Sequence, residues 1–198
     1  KTALADIAEI NMGENFTIAE GTDGFLTLTA GTFKLTGNAT VSNKVFTGSA
    51  GYTIDATDGF WLDAPNFTVV GQTGSPTNKG LLRLTQGVYN VGTSAGNTLG
   101  ASSGAIFTFE GGTLNLAARL QTFNAITFNM SGGVINVNTV GNTSGSASFG
   151  LTSSSIAASQ NVVAILPGSR SGEIHYLGEI FIEAAKYVLS KNPEAQFL

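Results

Sequence analysis

Apolar and polar residues alternate along most of the first 155 positions, and the alternation falls into copies of one ten-residue pattern. The pattern runs apolar, x, apolar, x, x, Gly, x, apolar, x, apolar. It fits LTLTAGTFKL from Leu26, LRLTQGVYNV from Leu82, FTFEGGTLNL from Phe107 and FNMSGGVINV from Phe128. FWLDAPNFTV from Phe60 fits with Pro65 at the glycine position, and FTGSAGYTID from Phe46 is a looser copy. Alternation predicts strands with one buried face, and threonine suits such a pleated surface. The central glycine predicts a tight bend or a positive φ between two short strands. Starts at 60, 82, 107 and 128 are separated by 22, 25 and 21 residues, the size of one solenoid coil. One coil cannot bury its face alone, so neighbouring coils must stack. The fold class expected is mainly β: a β-solenoid of the parallel β-helix kind, with a short C-terminal β–loop–α segment. An antiparallel sandwich or barrel shows similar short strands. The mutual likeness of the copies favours the solenoid, while handedness and coil shape are not legible.

The pattern changes near Ser155. NVVAIL, residues 161–166, is a continuous apolar run, as expected of a strand covered on both faces. PGSRSG follows as a tight loop. Ile174, Leu177, Phe181, Ala184 and Val188 then step by 3, 4, 3 and 4, a helical stripe predicting a helix near 173–191. Glu173 sits in its first turn, where a negative charge suits the helix dipole. Pro193 ends the helix, and AQFL reads as the next strand. The organisation expected is therefore a solenoid over 1–155 and a truncated β–loop–α segment over 156–198.

Composition sharpens that break. Residues 157–198 contain no threonine and three of the 26 glycines, while 1–156 hold 24 threonines. Apolar content of 42% with only 11% charged residues argues against disorder. A net charge of −4 with nine basic residues gives no nucleic-acid footprint. The chain has no cysteine, which excludes disulfides and thiolate metal sites. No apolar run reaches the length of a transmembrane helix. KTALADIAEI carries no initiator Met and no signal-peptide pattern, so the chain reads as an excerpt of something longer.

Candidate chemistry is sparse. Carbohydrate cleavage needs two acids at a defined separation, and the candidates are Asp55, Asp58 and Asp63 in IDATDGFWLDAP, with Glu110 further on. The alternative is that the Asp-Gly and Asp-Ala pairs are bend residues. DATDG lacks the alternating acids of a calcium loop. Trp61, the single tryptophan, is either a packing residue at the core or its edge, or an exposed sugar-stacking platform. A Ser–His–Asp arrangement is excluded within the repeat, because the single histidine is His175. The loop after NVVAIL offers anion binding: Gly168 allows close backbone approach, the helix N-terminus presents free N–H groups, Ser169 adds a hydroxyl and Arg170 a guanidinium fork. No metal site and no cofactor are expected.

Two resemblances add to this reading. LLRLTQGVYNVGTSAGNTLG, IFTFEGGTLNLAARL and ITFNMSGGVINVNTVGNTSGSASFGL, within residues 20–152, resemble very large secreted repeat proteins of bacteria that use type IX secretion. That resemblance implies an extracellular or cell-surface, adhesin-like or structural role, with surface glycans or neighbouring repeats of a longer chain as partners. VVAILPGSRSGEIHYLGEIFIEAAKYVLSKNPEAQFL, within residues 161–198, resembles lipid-A-disaccharide synthase at the start of its C-terminal domain. It implies a glycosyltransferase segment of the cytoplasmic face of the inner membrane, acting on a UDP-linked diacylglucosamine in lipid A biosynthesis. By that resemblance Gly168, Ser169, Arg170 and Glu173 would bind the UDP-sugar; His175 matches no motif of the family. The chain departs from the family where a β-repeat precedes the motif in place of an acceptor-binding domain, and the strands that would close the donor pocket do not follow.

Three readings result: a surface repeat module carrying a non-catalytic tail, with the whole a chimera; a fragment of lipid-A-disaccharide synthase; and a carbohydrate-active β-helix with a carboxylate site. The chain as given is expected to be catalytically inactive, although its C-terminal segment resembles a lipid-A-disaccharide synthase.

Overall fold

The computed structural model describes residues 3–14, 24–47, 51–152, 155–156, 162–163, 171–191 and 196–197. They fall into two compact units, Lys1–Ala157 and Ala158–Leu198. The larger holds β1 (Ile7–Met12), β2 (Gly31–Gly37), β3 (Val41–Asn43), β4 (Thr53–Ile54), β5 (Asp58–Val69), β6 (Thr77–Asn78), β7 (Leu81–Val91) and β8 (Gly100–Ala101). It continues with β9 (Ile106–Leu116), β10 (Leu120–Asn124), β11 (Thr127–Asn136), β12 (Ser148–Thr152) and β13 (Ser155–Ile156).

The main sheet runs β1-β2-β5-β7-β9-β11-β13, with β3 also beside β5. Smaller sheets, β4-β6-β8 and β10-β12, form from the return segments, and every pairing is parallel. Parallel neighbours that are consecutive passes of one winding chain define a β-solenoid, here of about five turns.

Register places the repeat on itself. Phe60, Leu82, Phe107 and Phe128 form one row across four strands, and Leu62, Leu84, Phe109 and Met130 the next inward row. The second half of each pattern continues the core with Tyr89, Leu114 and Ile135 opposite one another. Phe60, Phe67, Leu82, Tyr89, Phe107 and Leu116 are fully buried. Each such side chain contributes roughly 1.5–3 kcal/mol of burial.

Strict alternation would turn the second half of the pattern outward, since inward positions 1 and 3 are odd while 8 and 10 are even. The glycine corrects the parity. Gly87, Gly112 and Gly133 have φ of +87°, +73° and +91°, a conformation that shifts the inward phase by one residue. They also stack: a Cβ on Gly112 would lie 2.8 Å from the Gly87 carbonyl oxygen.

β5 departs from this rule. Its pairing with β7 slips between Asp63↔Gln86 and Thr68↔Val88, so four residues of β5 are accommodated where β7 has Gly87 alone. Pro65 and Asn66 stand exposed in this bulge, and the Asn66 amide donates to the Asn38 carbonyl at 3.2 Å. The copies from Leu26 and Phe46 play another part as well. Leu26 bridges Phe46, but Gly31 opens β2 opposite Asp58, and it is Phe33 that joins the Phe60 row. Gly31 thus begins a coil face instead of bending its middle.

Side-chain amides stand in for backbone pairing at the corners. Buried Gln121 accepts from the Leu99 N–H at 2.9 Å and donates to the Leu99 carbonyl at 2.8 Å. Gln72 donates to the Phe46 carbonyl at 2.6 Å. Asn97 closes its own loop by accepting from the Thr93 and Ser94 N–H groups.

The smaller unit holds β14 (Val162–Val163), α1 (Ser171–Lys191) and β15 (Gln196–Phe197), with β15 parallel to β14. It is a β–α–β unit, as the apolar run and the helical stripe predict. On α1, Phe181, Ala185 and Val188 are half-buried, so Ala185 takes the inward place read for Ala184, while Ile180, Ile182 and Tyr187 are exposed.

Candidate functional site

Residues that alternate with the core rows form a polar outer face on the main sheet. Trp61 lies between inward Phe60 and Leu62 and therefore faces outward. Its row runs Glu9, Lys34, Trp61, Arg83, Thr108 and Asn129 across six strands. Lys34 Nζ sits 4.3 Å from the Trp61 ring and Arg83 Cζ 3.8 Å, one from the strand on each side. The indole N–H donates to the Thr85 hydroxyl. Trp61 is thus half-buried and flanked by cations: it packs at the edge of the fold, and its ring is not presented as an open platform.

The cations are held by acids. Lys34 Nζ contacts Asp63 at 3.0 Å and Glu9 at 3.2 Å. The hydrogen bond that Lys34 donates to Asp63 holds its ammonium above the usual pKa, against the opposing effect of desolvation and with help from Glu9. Arg83 meets Glu110 with two bonds, 2.8 and 3.0 Å, in the fork geometry that favours arginine. Gln86 donates to the other Asp63 oxygen at 3.2 Å.

Of the four candidate acids, the structure brings Asp63 and Glu110 to this outer face and ties each to a base. Asp55 pairs with Lys79 at 2.9 Å, and Asp58 is buried at the start of β5, its backbone N–H donating to the Asp55 carbonyl in a bend. These are the bend and ladder roles, with every acid of the set carrying a partner of its own. Among the described residues no group of three or more His, Cys, Asp or Glu is placed to hold a metal ion.

Further along each strand, Asn90, Asn115 and Asn136 stack in register. Asn115 donates to Asn90 at 2.8 Å and Asn136 to Asn115 at 2.9 Å. Primary amides have a donor and an acceptor on opposite atoms, so identical residues at the coil spacing satisfy one another. Inside, the hydroxyls of Tyr52 and Tyr89 are hydrogen-bonded together, and burial pushes both phenols above their usual range.

Reading the sequence alone misses Lys34, Arg83 and Gln86. A signal was present: Trp61 and Arg83 share position 2 of the pattern, and Asp63 and Glu110 share position 4. Lys34 is hidden because the Leu26 copy is out of phase with the rest. Gly168, Ser169 and Arg170 lie outside the described residues. Glu173 is the third residue of α1; its side chain and that of His175 also lie outside the description.

The two units thus define a β-solenoid module with an outer face of ion pairs, and a separate β–α–β segment. Among curated proteins, a 43-residue stretch of the chain is 49% identical to lipid-A-disaccharide synthase of Azoarcus sp. (strain BH72). A 37-residue stretch is 51% identical to lipid-A-disaccharide synthase of Methylobacillus flagellatus. These stretches are 22% and 19% of the chain and span about a tenth of the relatives' length, 11% and 10%. No protein-family model matches the chain, and no solved structure matches it significantly. No described helix is long and apolar enough to cross a membrane.

Proposed function

We propose that the solenoid is a non-catalytic surface module, structural or adhesin-like and extracellular, and that residues 156–198 are an inactive enzyme piece joined to it. The observation that carries this reading is the pairing of Asp63 with Lys34 and of Glu110 with Arg83. A glycosidase needs one carboxyl kept protonated and a second poised across a substrate. Acids each bound to a cation suit a rigid face, and in-register ladders suit a repetitive scaffold. The resemblance of the repeats to secreted surface proteins supports an extracellular location. Glycans or further repeats are the partners this reading implies.

The second reading, a piece of lipid-A-disaccharide synthase, is favoured by the identity of about one half over those short stretches. Under it Gly168, Ser169, Arg170 and Glu173 would contact the UDP-sugar. The β–α–β order agrees with an anion site at the N-terminus of α1. A UDP-sugar site belongs to the cytoplasm and an adhesin to the exterior, so the two readings describe segments of different origin.

The test is a calorimetric titration of the full chain with UDP, beside adherence of the labelled chain to cells. The surface reading expects adherence and no UDP binding tighter than millimolar. Micromolar UDP binding that Arg170→Ala abolishes would establish the enzyme reading instead. Single long DNA reads across the codons for Gly150 to Pro167 would show whether the join is genomic.

A further inference from the structure

The β5 bulge builds a cleft of about 300 Å³ on the outer face, where the first four passes of the main sheet meet. Its row of polar residues is set by register: Asn11, Thr36, Asp63 and Gln86 lie opposite one another on β1, β2, β5 and β7. Pro65 forms part of the wall, which the bond from Asn66 to the Asn38 carbonyl fastens to the neighbouring coil. Gly37 lines the floor at φ +105°, where a Cβ would fall 2.1 Å from the Met12 carbonyl oxygen. The cleft therefore sits where the solenoid abandons its own repeat. Bulges of this kind re-aim side chains and are over-represented next to sites.

The lining decides the chemistry. It contains Glu14 and Asp63 but no lysine, arginine or histidine, so an anionic ligand would meet only repulsion. Asp63 is already held by Lys34 at 3.0 Å, so of the two carboxylates only Glu14 is left to face a cation, and one carboxylate does not make a cation site. Apolar lining is confined to Met12 and Pro65, too little to anchor a hydrophobic side chain. What remains is a row of amide, hydroxyl, carboxylate and amide. Together these offer donors from the two amides and the hydroxyl and acceptors from all four, as a polyol requires. The row covers three interstrand steps, about 14 Å, so it suits a chain of sugar units better than one ring. Its volume lies at the lower end of the range for ligand sites.

We propose that this cleft is a binding subsite for a neutral, hydroxyl-rich oligosaccharide lying along the solenoid axis, contacted by Asn11, Thr36, Asp63 and Gln86. The proposal rests on the surface-module reading and names the class of its ligand.

The experiment uses the full chain against immobilised neutral glucan, mannan and chitin oligosaccharides, with oligogalacturonate as the acidic counterpart. Binding to at least one neutral probe and none to oligogalacturonate is expected. Thr36→Val and Gln86→Ala should each weaken that binding roughly tenfold, the effect of losing one direct hydrogen bond. Asn136→Ala, on β11 and outside the cleft lining, should leave it unchanged. Circular dichroism and melting identify any variant that has lost its fold, and Thr36→Val, nearly isosteric, then decides. Neutral binding undiminished by the cleft variants, or binding to oligogalacturonate alone, overturns the cleft but spares the surface reading. Adherence to cells with no oligosaccharide bound does the same. Loss of adherence and of all oligosaccharide binding overturns both.

Discussion

Gln121 offers the sharpest test of how the coils are held together. Its amide makes two hydrogen bonds to the backbone of Leu99, at 2.9 and 2.8 Å, and both residues are buried, 3% and 2% exposed. β8 and β10 do not pair in the sheets, so this side chain supplies the bonds a strand would have made. Gln121→Leu keeps the volume but orphans a buried N–H and a buried carbonyl. Each orphan costs about 1–3 kcal/mol, partly offset because an amide no longer has to be desolvated. The net loss expected is about 2–4 kcal/mol. Urea denaturation followed by circular dichroism measures it, while hydrogen exchange at the Leu99 amide reports the site itself, since stacked coils need not unfold in one step. Gln121→Glu provides an internal check. Its carboxylate can accept from Leu99 but cannot donate, and burial raises its pKa. The variant should thus be weak at neutral pH and regain stability as pH falls through that raised pKa, when the acid can donate again. Gln121→Leu within about 1 kcal/mol of the parent, with Leu99 exchange unchanged, would refute the amide-for-strand argument.

Three further outcomes follow from the packing. Gly112→Ala places a Cβ 2.8 Å from the Gly87 carbonyl oxygen at a φ of +73° and should lower stability by about 1–3 kcal/mol, read from the urea midpoint. Tyr89→Phe alone leaves the Tyr52 hydroxyl without its partner and should cost about 1–2 kcal/mol, whereas adding Tyr52→Phe should recover most of that loss. Both phenols are pushed up in the folded state, so their contribution is complete below an unfolded pKa of about 10 and declines as pH rises beyond it; the double variant should flatten that alkaline loss in melts from pH 8 to about 11. Arg83→Ala uncovers one side of the Trp61 ring and frees Glu110, changing Trp61 fluorescence and its quenching by iodide, with a stability change of about 1 kcal/mol or less because the pair is one-third exposed.

The sequence by itself determined the coil. Positions 1, 3, 8 and 10 of the pattern named buried residues such as Phe60, Leu84, Tyr89 and Leu116, because alternation with one glycine per unit is a local property that burial obeys. Spacings of 22, 25 and 21 set the register of Phe60, Leu82, Phe107 and Phe128 for the same reason. The helical stripe from Ile174 foretold the C-terminal helix. Only the tertiary structure decided what the outward residues do. Trp61 was ambiguous because its environment comes from Lys34 and Arg83, 27 residues before and 22 after, and the Leu26 copy misreports the phase of the strand that carries Lys34. Asp63 and Glu110 looked like a possible acid pair until stacking gave each its own cation. The cleft beside Pro65 arises because β5 carries extra residues against β7, and a mismatch between two strands exists only once both are laid side by side.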